Sequence, residues 1–420
     1  MKKTFNSTKN IFLTVISLFM LGLVVGCSSD DDGPINTDDD GDPQGEIIIK
    51  SGILTQDETW TAENIYVLDG KVVVNENVTL TIEPGTIIKG EQGQETLASA
   101  LIVDQGAKLI AEGTANRPII FTSILDNIQV GQTWGTNLNV EDNGLWGGII
   151  ILGKAPISVS GDVLTAQIEG IPANEPFGQY GGTVSNDNSG ILRYVSIRHG
   201  GITIGQDNEI NGLTLGGVGS GTIIEHIEIV ANQDDGIEWF GGTVNASNLL
   251  VWGCGDDGFD ADQAYSGTIS NGLVIQGNNS GTALELDGPE GSSATEDSFT
   301  MNNITIIGNG ISSLTADLRD GLLASLNNVL VYGISASSSI KINGEDSQTE
   351  FINGRISFSN WEIVLPSGIS NVGDLLTGAP EGYEYIFTDH ATAINSPANA
   401  TVGANLNVFS WTYAKHMGAF

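Results

Sequence analysis

Acidic residues recur at a near-constant interval through the middle of this chain, each framed by small or apolar neighbours. Gly236-Ile237-Glu238-Trp239, Gly258-Phe259-Asp260-Ala261 and Ala283-Leu284-Glu285-Leu286 carry the pattern. It is preceded by Gly212-Leu213-Thr214-Leu215 and continued by Ala316-Asp317-Leu318-Arg319 and Ile340-Lys341-Ile342-Asn343. Side chains alternate faces along a strand. The flanking residues then point inward, and Thr214, Glu238, Asp260, Glu285, Asp317 and Lys341 form one outward file. A second file, two residues on, reads Phe240, Asp262, Asp287, Arg319 and Asn343. Asp234-Asp235-Gly236 and Asp256-Asp257-Gly258 are 22 residues apart and should nearly superpose.

Stacked parallel strands lie about 4.8 Å apart, and two carboxylates about 5 Å apart repel by roughly 3 kcal/mol at an effective dielectric near 20. Four in succession must splay into water, take up protons or share a cation. The pattern therefore offers a calcium site at Asp256, Asp257, Asp260 and Glu285. Beside it lies a ligand surface of Glu238, Phe240, Asp262, Tyr265 and Asp287. Phe240 is expected to point outward and Tyr265 follows in the next loop, and a flat apolar ring beside carboxylates suits a sugar. Trp239 and Phe259 take inward positions. The plainer alternative is that Asp-Gly only makes the bends and that an outer wall is polar in any case.

These residues need a repeating scaffold, and a second phrase supplies it. Asn, then alternating apolar residues, then Gly appears at Asn248–Gly253, Asn271–Gly277, Asn303–Gly308 and Asn328–Gly333, with closing glycines 24, 31 and 25 residues apart. A period in the twenties with two-residue alternation predicts stacked β-turns of a solenoid, whose apolar faces are buried only by stacking. The fold class is all-β: a solenoid of stacked parallel strands with a disordered N-terminal tether. Residues 46–420 form the solenoid, with the aromatic tail Phe409-Ser410-Trp411-Thr412-Tyr413-Ala414 read as part of a C-terminal cap. The Pro- and Gly-rich stretch 155–190 is expected as a loop beside the groove.

Residues 1–26 read as an export signal, with Lys2, Lys3 and Lys9 before an apolar run from Ile11 to Val25 that is short for a membrane span. Leu23-Val24-Val25-Gly26-Cys27 resembles the lipobox of bacterial lipoproteins, which implies cleavage before Cys27 and a lipid on it. Ser28-Ser29-Asp30-Asp31-Asp32 resembles the signal that sends Bacteroidetes lipoproteins to the outer face of the outer membrane. Residues 27–45 are an acidic tether. A lipid on Cys27 implies a protein anchored to a membrane without spanning it.

Charge excludes some partners. The signal carries three lysines and no acid, so 15 basic residues fall to 12 against 51 acidic ones, and the net charge moves from −36 to −39. Nucleic acid and anionic headgroups are poor partners for such a chain. With Cys27 lipidated only Cys254 remains, so no intrachain disulfide forms. Cys254 reads as a small buried or turn residue, and His199 as a surface turn residue.

The runs "LTIEPGTIIKG", "LIAEGTANRPIIFTS" and "WGGIIILG" resemble the opening turns of right-handed parallel β-helix proteins of bacterial surfaces, a fold that hosts lyases, hydrolases, adhesins and non-catalytic proteins. Asn232-Gln233-Asp234-Asp235 resembles the paired-aspartate motif of polygalacturonases. That resemblance implies inverting hydrolysis by Asp234 and Asp235, although the family's Gly-His-Gly and Arg-Ile-Lys motifs are absent. The arrangement of Glu238, Asp260 and Glu285 near Arg319 and Lys341 is similar to that of pectate lyases, implying bound calcium and proton abstraction by Arg319 or Lys341. Three functions stay open. The preferred one is a non-catalytic surface protein binding a glycan or nutrient at the acidic wall, or docking an outer-membrane uptake receptor. The others are a calcium-dependent lyase or an inverting hydrolase, and a structural or adhesive spacer.

Overall fold

The computed structural model describes residues 45–93, 97–205, 208–289, 291–292 and 298–420. The expected export signal, the expected lipidation at Cys27 and all but the last residue of the expected 27–45 tether lie outside them.

Among the described residues, 24 strands from Ile47 on form a single wound sheet in which each strand hydrogen-bonds in parallel to its counterpart one turn away. This is the expected parallel β-helix. From Gly190 onward each turn consists of one long bent strand and one short strand. The long ones include Ile223–Val230, Ala246–Trp252, Thr268–Ile275 and Phe299–Ile307, and the short ones Ile237–Phe240, Phe259–Asp262 and Leu284–Asp287.

The recurring asparagine makes the bend. Asn248, Asn271, Asn303, Asn328 and Asn360 all adopt left-handed backbone, with φ between 54° and 60°. Asn tolerates that region better than other residues with a β-carbon. The bend folds one strand into two walls, so each turn has three. Their amides also stack. Asn271 Nδ2 donates to Asn248 Oδ1 at 2.9 Å, and Asn360 Nδ2 donates to Asn328 Oδ1 at 3.0 Å. In the two preceding turns Tyr194 and His226 hold the same conformation and stack at 4.2 Å.

Inward residues fill the column with Ile, Leu and Val and with fully buried aromatics, among them Trp239, Phe259 and Phe299. Each fully buried large apolar side chain contributes about 1.5–3 kcal/mol. Trp239 and Phe259 meet edge-on at 5.9 Å, as their inward positions require.

Two segments lie elsewhere than expected. The aromatic tail runs along a side wall and does not lie over the end of the column. Phe409 and Ala414 pack on Leu250, Leu273 and Ile275, and the Ala414 N–H donates to Glu228 Oε1 at 2.8 Å. The C-terminal turn is instead closed by Leu375 and Phe387, the latter against Phe358 and Trp361. The 155–182 segment does not stand beside the short-strand wall. It lies on it, burying Ile157, Ile168, Ile171, Phe177 and Tyr180 against Ile150, Leu152 and Phe240.

Candidate functional site

The short strands put the acidic file in one continuous register. Thr214 pairs with Glu238, Glu238 with Asp260, Asp260 with Glu285, Glu285 with Asp317, and Asp317 with Lys341. In the second file Phe240 pairs with Asp262 and Asp287 with Arg319.

Each short strand is entered through a polar residue followed by a small one: Asn211-Gly212, Asp235-Gly236, Asp257-Gly258 and Thr282-Ala283. The glycines are required by close approach. A β-carbon on Gly236 would sit 2.6 Å from the Gly258 carbonyl oxygen, and one on Gly258 2.7 Å from that of Ala283. The polar residues tie successive turns together. Asp257 N–H donates to Asp235 Oδ1 at 2.8 Å, and Thr282 N–H to Asp257 Oδ1 at 2.6 Å. The two Asp-Asp-Gly phrases therefore superpose.

The wall is acidic but not open. Glu238 and Asp260 were expected to face solvent, yet they are only 5% and 7% exposed. They point away from the column, on the wall where the 155–182 segment packs and brings Glu169 beside Glu238. Phe240 also points outward but is buried beneath Tyr180, whose ring meets it edge-on at 6.0 Å. Tyr265 is fully buried. The left-handed pair Gln263 and Ala264 turns the chain inward, Tyr265 packs on Trp239 and Phe299, and its hydroxyl donates to the Val244 carbonyl at 2.6 Å. Neither ring is an exposed platform for a sugar.

Burial decides the electrostatics. Removal from water, then Asp234 and Asp257, push Asp235 well above the usual carboxylate range. Burial followed by Glu169, Asp262 and Asp235 does the same to Glu238, and burial followed by Asp262 and Glu238 to Asp260. Asp257 is pushed up to about 8 by burial, Glu285 and Asp256. Asp287 also rises to about 8, by burial and Asp262, against the pull of Arg319. The cost of ionising any one acid here comes from desolvation and from its neighbours.

Among the described residues three groups of oxygens could each hold a cation, the atoms of a group lying within 4.8 Å of one another: Asp234, Asp235 and Asp256; Asp235, Glu238 and Asp260; and Asp257, Asp260 and Glu285. Three of the four expected metal ligands share the last group, and Asp256 falls in the first. An all-oxygen donor set suits calcium or magnesium.

Arg319 and Lys341 close the file on its C-terminal side. Arg319 Nη1 is 2.5 Å from Glu285 Oε1, and its Nε donates to Asp287 Oδ2 at 3.0 Å. Desolvation works to lower the guanidinium pKa, but Asp287 and Glu285 hold it above its ordinary value. Arg319 thus sits as a bound counter-ion. Lys341 Nζ lies 4.0 Å from Asp317 Oδ2.

Two residues at the site were missed in the sequence. Asn211 donates from Nδ2 to Glu238 Oε2 and, at 3.3 Å, to Glu169 Oε1. Asn211 had a signal, because it occupies the place of Asp235 and Asp257 one turn earlier. Glu169 had none, since it arrives from the covering segment. His199 is away from this wall and buried, not on the surface; its Nδ1 is 2.6 Å from the Asp142 carbonyl oxygen, and burial lowers its pKa. Cys254 is buried with a free thiol, in keeping with its expected role.

Neither the curated proteins nor the solved structures offer a match to the chain. A family model described as a pectate-lyase like beta helix domain matches residues 52–415, and the chain belongs to that family.

Proposed function

We propose that this protein is a surface lipoprotein of a bacterial outer membrane, anchored through a lipid on Cys27, that binds a ligand without transforming it. The ligand is received at the acidic wall through calcium held by Asp257, Asp260 and Glu285, with Asp256 at the margin. The observation that carries this reading is the stacking of Glu238, Asp260 and Glu285 on consecutive turns with Asp235 and Asp257 beside them. Arg319 offsets the charge of Glu285 alone in this group, and a cation among the remaining oxygens would keep the group ionised at neutral pH. With Phe240 and Tyr265 buried, and Asp287 also buried against Arg319 and not open as expected, recognition rests on the cation and on Asp262, not on ring stacking. An acidic glycan fits, its carboxylates completing the coordination sphere. An outer-membrane uptake receptor is the natural recipient of such a ligand.

A second reading, a calcium-dependent polysaccharide lyase, is favoured by Lys341, whose side chain is about two-fifths exposed at the end of the same file. Asp234 and Asp235 keep a hydrolase reading testable as well. One experiment separates the three. Acidic glycans are presented to the protein with calcium and with chelator, while binding, ultraviolet-absorbing products and reducing ends are followed. Calcium-dependent binding with no product is expected. Unsaturated product abolished by Lys341→Ala would make it a lyase, and reducing ends lost in Asp235→Asn a hydrolase. Absence of glycan binding in either condition would overturn the ligand assignment.

A further inference from the structure

The group formed by Asp235, Glu238 and Asp260 differs from its neighbours in that all three side chains are buried. The covering segment brings a fourth carboxylate to it. Glu169 is held beside Glu238 by the shared Asn211 amide, while Ile168, Ile171 and Tyr180 pack the same segment onto the wall. Tyr180 fixes it further by donating from its hydroxyl to Gln263 Oε1 at 2.9 Å. A loop whose apolar residues dock it over buried acids, and which then adds another acid, raises the repulsion it should avoid.

Two atoms point to what offsets that repulsion. Asp260 Oδ1 and Asn211 Oδ1 are both buried and have no hydrogen-bond partner. Among the described residues no salt bridge reaches Asp235, Glu238 or Asp260. A buried oxygen left unsatisfied costs about 1–3 kcal/mol, and more if charged. Asp260 belongs to two of the three groups, so one carboxylate can serve two ions.

We propose that Asp235, Glu238 and Asp260 enclose a second calcium ion beneath the 155–182 segment, with Glu169 drawn into its shell, so that the ion fastens this segment to the wall. The donors are oxygens only, which selects a hard cation. Calcium–oxygen distances of about 2.3–2.6 Å let ligands lie up to roughly 4.6–5.2 Å apart, and oxygens of this group all within 4.8 Å of one another can share one such ion. Magnesium, which keeps its waters, suits an enclosed site of protein carboxylates less well. Two ions sharing Asp260 would offset four of the negative charges gathered here. This site holds an ion with or without a glycan, so it goes beyond the ligand-binding role.

The test counts ions. Metal-free mature protein is dialysed against calcium, and bound calcium per chain is measured for wild type, Glu238→Gln, Glu285→Gln and Glu169→Gln. In parallel, proteolysis within residues 155–182 is timed with and without calcium. Two ions are expected in wild type, one in Glu238→Gln and one in Glu285→Gln. Calcium should slow cleavage at least fivefold in wild type and Glu285→Gln but not in Glu238→Gln. Glu169 is half-buried in a loop, so Glu169→Gln keeps the test valid even if Glu238→Gln fails to fold; its inner ion should bind about tenfold more weakly. Binding of a single ion that is lost in Glu285→Gln and indifferent to Glu238→Gln and Glu169→Gln would overturn the enclosed site while leaving the outer one standing. Cleavage indifferent to calcium would overturn the fastening.

Discussion

Asp257 donates its backbone N–H to Oδ1 of Asp235, one turn below, at 2.8 Å. Oδ1 of Asp257 then accepts the N–H of Thr282 at 2.6 Å. Each aspartate thus spends one oxygen on the stacking of turns and keeps the other for a neighbouring group. The same residues hold the column together and make it acidic, so charge and stability are linked.

Asp257→Asn separates the two roles. The amide oxygen can still accept from Thr282, while the charge is gone. Calcium affinity should fall at least tenfold in titration calorimetry. Metal-free stability at pH 8.5 should rise by about 2 kcal/mol, because a buried carboxylate is no longer forced to ionise.

Stability of the metal-free protein should fall as pH rises. Asp257 and Asp287 titrate near 8 in the folded chain and near 4 when unfolded. Between those values the folded state binds more protons, so the unfolding free energy declines with pH. Their stabilising contribution is complete below about pH 4 and gone above about pH 8. Urea midpoints measured from pH 4.5 to 8.5 in chelator should decrease, and excess calcium should flatten the trend. A midpoint rising across this range would contradict the assignment.

Calcium should raise the melting temperature at pH 7.5. An ion at 100 times its dissociation constant stabilises the folded chain by about 2.7 kcal/mol. For a chain of this size that is an upward shift of several degrees, reversed by chelator and visible in differential scanning fluorimetry without any glycan.

The asparagine ladder predicts a stability difference far from the acids. Asn328 donates to Asn303 Oδ1 at 3.2 Å and accepts from Asn360 at 3.0 Å while holding a φ of 57°. Asn328→Ala loses two hydrogen bonds and strains the bend, at a cost of about 2–3 kcal/mol. Asn328→Gly keeps the conformation and should cost less. Equal losses in denaturant titration would show that the bend conformation is not the cause.

The tail makes a further prediction. Glu228 is buried with Arg198 and accepts from Ser196 Oγ at 2.6 Å as well as from the Ala414 N–H. The Arg198 guanidinium lies 4.7 Å from the centre of the Tyr413 ring. Glu228→Gln leaves Arg198 buried without its partner and should cost about 3–5 kcal/mol, read as a lower urea midpoint and earlier proteolysis after residue 400.

The register of the acidic file was legible in the sequence because two-residue alternation and a repeated phrase fix which side chains share a face. Glu238, Asp260 and Glu285 stand on consecutive turns for that reason. Which outward residues meet water was not legible. Phe240 points out as alternation demands, yet a segment some sixty to eighty-five residues earlier covers it. Tyr265 was misplaced because two left-handed residues, neither of them glycine, reverse the chain before it. The tail's aromatic residues were recognisable as buried, but not which wall they bury against. The asparagines marked the repeat, while their backbone conformation became visible only in three dimensions.

The central claim, that this wall coordinates a cation, is tested most directly by titrating calcium into metal-free mature protein at pH 7.5, beside Asp260→Asn. Wild type should bind calcium saturably, and Asp260→Asn, folded by circular dichroism, should lose at least tenfold in affinity at every site. Identical isotherms for the two proteins, or no calcium bound by wild type, would contradict it.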